Sequence, residues 1–477
     1  MAVQAVDLKP SPYGQPLFPS HSHLLTEEEA TPGIPAEEYE RRRRALMNSL
    51  PNNSLVLCIA GEIKYMSGRA YKFRQSSDFW YLTGFEQPNA AVVLKSDPSS
   101  ERGYHMTMFC AENDPETEKW DGARISFEDV VRYFGADDAR PSYELARFLH
   151  SLTTTAEHVY VDLPRSRRRS WRVDAEASLD FLRNAKHRST PEGLLKMLDT
   201  SRTRPLAPEV GRLRAIKSAH EQRVMRAAAD ISADAHTRVM RFTIPNMPEY
   251  EIAAHFEYLC ARAGAQRPAY VPVVASGANA RIIHYTANNQ LVRDGELVLI
   301  DAGCEYNGYA SDITRTFPVS GKFSEPQKAL YSAVLAAQKQ LVKLCSAASG
   351  LSLAQLHSTS CDLLRKELVN AGIPNAPMRL SELYPHYIGH HVGIDLHEST
   401  YIDRHEPLKA GMVVTVEPGV YVPPSDSYPA YFHNIGIRIE DEVLVGETEP
   451  IVLSAHAPKE IVDVEGVCQG LLDIEPL

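Results

Sequence analysis

No apolar run in this sequence approaches the roughly 18 residues that a membrane-spanning helix requires, so such a helix is excluded. Paired cysteines are missing too. The seven cysteines are odd in number and scattered, with no CxxC among them. That pattern offers neither a disulfide framework nor a zinc knuckle, and it reads as buried thiols in a reducing compartment. Basic residues are the minority, 50 Lys and Arg against 61 Asp and Glu, for a net charge of −11. A chain this acidic is a poor nucleic-acid binder. The first 25 residues hold no apolar signal core and no Arg. As given, they therefore predict a cytosolic protein, or one from which a targeting segment has been removed. No repeat of solenoid period is present.

What remains is ordinary globular composition, 44% apolar and 23% charged, over 477 residues, enough for two domains or three. Residues 1–35 are rich in Pro, His and Ser and read as an extended arm docked on the body. A helix is predicted over Ala36 to Asn48, with Arg41 to Arg44 on a solvated face beside Glu37, Glu38 and Glu40. The runs SLVLCIAG, DFWYLTGF, AAVVLKS, HMTMFCA and HVYVDLP, alternating with helical stretches such as YELARFLHSL, predict an α/β domain over residues 36–190. A second basic cluster, Arg165 and Arg167 to Arg169, reads as a surface loop. Three prolines, Pro191, Pro205 and Pro208, mark a linker over 191–208. Residues 209–477 combine long helical periods (Glu209 to Arg241, Glu249 to Ala263, Ser324 to Leu344, Leu353 to Ala371) with short strands. They lack βαβ alternation and predict an α+β domain.

The chemistry-bearing residues lie in that second domain. In LVLIDAGCEYNGYASDITRTFPV, two strand-like runs flank Asn307-Gly308, a strong hairpin signal. With those two residues as the loop, Tyr306 faces Tyr309 and Asp312 falls opposite Gly303. Asp301 then becomes a diagonal cross-strand neighbour of Asp312. An odd shift of register would separate the two carboxylates. A carboxylate inside an apolar strand needs a cation, either an arginine such as Arg315 or a metal. Two further strands repeat the pattern: MVVTVEPG ends in Glu417, and IRIEDEVLV sets Arg438 and Glu440 opposite Ile437 and Ile439. Between the pairs, HYIGHHVGIDLHE carries His386, His390, His391 and His397. Gly389 and Gly393 disfavour a helix there, so His386 and His390 are not read as a helical zinc pair. Four carboxylates and one imidazole exceed the four ligands of a tetrahedral zinc site. They suit two divalent cations about 3.5–4 Å apart. An oxygen-rich set without Cys favours Mn²⁺, with Co²⁺, Fe²⁺ or Zn²⁺ as alternatives.

These motifs, from about residue 209 to the C-terminus, resemble the pita-bread metallopeptidases, the group of methionine aminopeptidase, aminopeptidase P and prolidase. DAGCEYNGYASDITRTFPVSG, HHVGIDLHE, TVEPGVY and GIRIEDEV follow the family order. The resemblance implies Asp301, Asp312 and Glu440 on one metal, and Asp312, His390, Glu417 and Glu440 on the other. It further implies catalytic roles for His284 (in RIIHYTANN), His397, Glu417 and Arg438. Substrate contacts fall to His284, His386, His397 and Tyr421. Ahead of the catalytic domain, AYKFRQSSDFWYLTGFEQPNAAVVL resembles the amino-terminal domain of aminopeptidase P, which methionine aminopeptidases lack. The arm YGQPLFPSHSHLL…TPGIPAEEYERRR resembles the eukaryotic mitochondrial branch, type-three aminopeptidase P or intermediate-cleaving peptidase.

The activity implied is hydrolysis of the first peptide bond, releasing one residue before proline or from imported proteins already trimmed once. Glu417 would carry a proton toward the leaving nitrogen while His284 and His397 donate to the carbonyl oxygen. Two alternatives stand beside it: a prolidase confined to Xaa-Pro dipeptides, and a non-catalytic binding module. The second predicts lost ligands, and here all five are present. Family resemblance also implies a homodimer or homotetramer and a mitochondrial location, with the cytoplasm as the alternative.

Overall fold

Continuous apolar runs build the sheet of the first unit. The structure, a computed structural model, describes residues 8–153, 156–161 and 201–471 and divides into two units, residues 1–214 and 215–477. In the first, Ser54–Ile59, Ala91–Ser96 and Tyr104–Cys110 form the antiparallel centre of a six-stranded sheet. His158–Val161 and Asp138–Pro141 add to it in parallel, and Thr203–Pro205 lies at one edge. Buried Leu, Val and Met on these strands explain why the runs do not alternate.

Several expectations change here. DFWYLTGF is no strand: Ser77–Thr83 is a helix that stops at Gly84, in the left-handed region at φ 68°. An apolar run this short carries no period that separates helix from strand, and the decisive signal is the C-terminal glycine. In the helix Ala36–Ser49, Arg41 and Arg44 pair with Glu38 and Glu40. Arg42 and Arg43, by contrast, are buried, not solvated. They donate to the carbonyls of Tyr81 and Leu82, at the end of the neighbouring helix where its carbonyls lack partners. Residues 8–35 are not simply extended: Glu29–Thr31 and Ile34–Pro35 form a hairpin. Gln15 fixes this segment by donating to Gly84 O and accepting from the Glu86 amide. The arginines of residues 165–169, and residues 191–200, lie outside the described residues. Beyond them the chain forms an edge strand, which tolerates Pro205, and the helix Ala207–Ala215, with Pro208 in its first turn. The units therefore part at 214/215, not at 208/209.

In the second unit the helices Ala219–Phe242, Glu249–Arg262, Glu325–Lys343 and Leu353–Asn370 surround a large apolar core. The helical period expected from Glu209 to Arg241 is broken at Ser218, which caps the second segment in a reciprocal pair with Glu221. Every pairing between the described strands of this unit is antiparallel. Val273–Ser276, Leu297–Asp301 and Thr314–Pro318 form one sheet. Val413–Val416, Asp441–Leu444 and Ile451–Val452 form another, and Gly419–Tyr421 pairs with Gly436–Arg438. The Glu440 amide donates to Thr314 O, and the Thr316 hydroxyl donates to Arg438 O, so the strands that carry the acids lie side by side. Among the described residues no helix is long and apolar enough to cross a membrane.

Candidate metal centre

A two-residue turn sets the first acidic pair. Asn307 and Gly308 both have positive φ, 47° and 81°, as the tight hairpin turn requires. Tyr306 faces Tyr309, and Asp301 faces Thr314 further along. Asp312, two residues from Thr314, is thus the diagonal neighbour of Asp301, as the parity count predicts. Tyr270 closes the pair, its hydroxyl lying 2.6 Å from Asp301 Oδ1 and 2.7 Å from Asp312 Oδ1.

His390 comes from a loop laid on the Val413–Val416 strand. Its amide donates to the Thr415 hydroxyl, and the Thr415 amide donates to His390 O. Such an approach demands Gly389: a Cβ there would sit 2.1 Å from the Thr415 carbonyl oxygen. The ring's Nδ1 lies 3.2 Å from His391 O and so carries its proton toward that carbonyl. Nε2 then points into the acids, 3.3 Å from Asp312 Oδ2 and 3.9 Å from Glu417 Oε1. Glu440 is buried, and one of its oxygens accepts from the Thr314 hydroxyl at 2.6 Å. Ligand atoms of Asp312, His390 and Glu440 all lie within 4.8 Å of one another.

Arg438 supplies the fixed cation. It donates to Asp301, to the Tyr421 hydroxyl at 2.9 Å and to the Thr314 hydroxyl at 3.1 Å. Arg315, the partner considered for Asp301, turns away and pairs with Asp441 at 2.8 Å. Behind this row His386 Nε2 lies 2.9 Å from the Tyr421 hydroxyl, and the His397 ring meets His390 edge-on at 4.3 Å.

Nine of the ten predicted residues line one cleft of about 1060 Å³: His284, Asp301, Asp312, His386, His390, His397, Glu417, Arg438 and Glu440. Tyr421 is not on the wall but behind it, against His386 and Arg438. Three residues went unread in the sequence. Tyr270 is a lone aromatic with no partner at a recognisable spacing. Arg404 lines the cleft with its guanidinium over Tyr387. Glu442 accepts from the Asp312 amide. Only its position two residues after Glu440, at strand period in the run IRIEDEVLV, hinted at it.

The donor set fits a divalent cation. One phenolic proton cannot satisfy both Asp301 and Asp312. Burial drives Glu440 well above the ordinary carboxylate range, and the charges of Asp312, Glu417 and Asp301 push it further. Burial also lifts Glu417 to about 7, against the pull of His390 and Arg438. Although burial disfavours its charge, His390 is raised to about 9 by Asp312 and Glu417. The cluster thus lacks positive charge, and an imidazole with Nδ1 on a backbone carbonyl and Nε2 among carboxylates is the arrangement of a metal ligand.

Comparisons with known proteins agree. Residues 223–447 match metallopeptidase family M24, and residues 39–160 match the aminopeptidase P N-terminal domain. Intermediate cleaving peptidase 55, mitochondrial, of Arabidopsis thaliana is 38% identical over 453 residues, covering 95% of this chain and 87% of that protein. Xaa-Pro aminopeptidase 3 of Rattus norvegicus is 36% identical over 488 residues, covering 98% and 93%. The crystal structure of Icp55 from Saccharomyces cerevisiae superposes with a TM-score of 0.83 at 36% identity, covering 93% of this chain and all of that one. The chain belongs to metallopeptidase family M24, as an aminopeptidase with the aminopeptidase P N-terminal domain ahead of a pita-bread catalytic domain.

Proposed function

We propose that this chain uses two divalent cations, Mn²⁺ foremost, to remove a single residue from peptide or protein N-termini. Asp301, Asp312 and Glu440 would hold one, and Asp312, His390, Glu417 and Glu440 the other. When bound, such a pair polarises the scissile carbonyl and makes hydroxide available near neutral pH. Glu417, which lines the cleft beside His390, would pass a proton to the leaving nitrogen. His284 and His397, which both line the cleft, would donate to the carbonyl oxygen as charge builds there. Arg438 would act through others, its charge opposing the upward push of burial on Asp301 and its Nη1 orienting Tyr421. His386 would form part of the wall against which substrate lies, backed by Tyr421.

The observation that carries this reading is the His390 ring, tethered at Nδ1 and turned at Nε2 toward Asp312 and Glu417. Its first test is Asp312→Asn, which removes a ligand both cations would share. Turnover should vanish while circular dichroism stays native, and near-normal kcat would refute the assignment. Metal analysis should give two ions per wild-type chain and fewer in the variant.

Likeness to the two peptidases named above supports a substrate with proline second, or an imported mitochondrial protein already trimmed once. Mass spectrometry of digested peptide libraries decides, by how many residues leave and which residue stands after the cut. Activity confined to Gly-Pro and similar dipeptides would instead make the enzyme a prolidase. The Arabidopsis relative is mitochondrial by name, and we place this chain there, with cell fractionation as the check. On the same reading the chain forms a homodimer or homotetramer, which sedimentation velocity measures.

A further inference from the structure

His284 reaches the cleft from a stretch of chain with little regular structure. Between the strands Val273–Ser276 and Leu297–Asp301, the regular structure is the short 3₁₀ helix Gly277–Arg281. An imidazole that must meet a developing charge to within a fraction of an ångström needs firmer support. It comes from Glu249, the first residue of the helix Glu249–Arg262, which is fully buried. One carboxylate oxygen accepts from the Ser276 amide (2.8 Å), the Ser276 hydroxyl (2.7 Å) and the Asn279 side-chain amide (3.1 Å). The other accepts from the Tyr285 hydroxyl (2.8 Å) and the Gln290 amide (2.9 Å).

All five donors are neutral, and none belongs to the helix on which Glu249 sits. An ordinary first-turn acid serves its own helix. This one serves the segment 276–290, gripping it at both ends and in the middle. The middle grip matters most, because Tyr285 follows His284 directly. Its buried ring packs with Val273, Ala275, Leu299 and Tyr421. His284 and Thr286, on either side of it, line the cleft. Holding the Tyr285 hydroxyl therefore fixes the direction in which both neighbours face.

We propose that Glu249 is the positioning residue for His284, its five-bonded carboxylate holding the segment 276–290 so that the imidazole meets the scissile carbonyl. The proposal rests on the assignment of His284 to the substrate. Glu249→Gln keeps the shape but replaces one acceptor oxygen by an NH₂ group that must face existing donors. Amide hydrogen exchange across 276–290 should quicken at least about 10-fold while the remaining helices keep their protection. Metal content should stay at the wild-type value. The kcat should fall on the order of 10-fold with KM little changed, since the loss is one of orientation. In a His284→Ala background the same change should cost no more than about 2-fold, because the two residues act as one unit. Tyr285→Phe, which breaks a single bond and leaves the carboxylate, should move exchange and kcat part of the way and serves if Glu249→Gln does not fold. Unchanged exchange, or losses that multiply in the double variant, would overturn the proposal. Wild-type turnover by His284→Ala would instead remove the assignment of His284, and the exchange data would still show whether Glu249 holds the segment.

Discussion

Tyr270 has one hydroxyl proton and two carboxylates in reach, and Arg438 has one guanidinium and three acceptors. Together they fix the acids before any cation binds. Three different nitrogens, Nε, Nη1 and Nη2, reach those acceptors, spread over one planar fork. Arg438 meets Asp301, Tyr421 and Thr314 at once, and an ammonium group on a flexible stem cannot. Arg438→Lys should therefore weaken Mn²⁺ affinity or kcat by roughly 10–100-fold, the usual cost of losing a ligand's outer hydrogen bonds. Because the charge is conserved, the loss measures geometry. Titration calorimetry with Mn²⁺ checks it, and a wild-type binding curve with wild-type kcat would show that the positive charge alone suffices.

At the scale of elements, Arg315 and Asp441 tie the Thr314–Pro318 strand to the strand after Glu440, completely buried, with Lys459, Gln338 and Ser454 completing Asp441's partners. Burial alone would raise Asp441, but Arg315 and Lys459 hold it well below the usual carboxylate range. A carboxyl lowered in the folded state adds stability above its unfolded pKa, and that stability drains away as pH falls through the acid range. Asp441→Asn should then cost about 3–5 kcal/mol at pH 7, because Arg315 loses its counter-ion inside the core. The gap from wild type should narrow as pH drops from 5 toward 3. Urea unfolding in EDTA at several pH values checks it, and a gap independent of pH would refute the linkage.

The same elements show what the chain disclosed before folding. The Asn307-Gly308 turn fixed the placing of Asp301 against Asp312, because side chains alternate with period two and the register runs on unbroken to Asp301 and Thr314. The choice of arginine was not legible. Arg315 lies close to Asp301 in sequence and Arg438 far from it, and only the packing of the two sheets decides which guanidinium arrives. The burial of Arg42 and Arg43 was illegible for a related reason. Their acceptors, the carbonyls of Tyr81 and Leu82, belong to a helix that the sequence presented as a strand. Local period carries the elements, while partners distant in sequence carry the site.

For the molecule as a whole, the centre is a concentration of charge that folding has to bear. Without cations, burial raises Glu440 and Glu417, and His390 is held at about 9 by the acids it faces. Raised carboxyls favour the folded state at low pH and lose that contribution as pH climbs through their folded values. Cations reverse the sense, since they bind the deprotonated ligands and displace the imidazole's proton. The metal-free protein should accordingly melt lower than the loaded one, with Mn²⁺ at 100 times its Kd adding about 2.7 kcal/mol. The size of that gain should also depend on pH. Histidines outside the proposed ligand set, such as His236, which burial holds at about 3, should cancel from the difference. What survives is the proton release of the ligands, and the rise in Tm on adding a fixed Mn²⁺ concentration should be larger at pH 8 than at pH 6. Melting curves with EDTA and with Mn²⁺ at both pH values measure it. A shift of equal size at the two would mean that the cations bind without displacing protons from Glu417, Glu440 and His390, and that the ligands lie elsewhere.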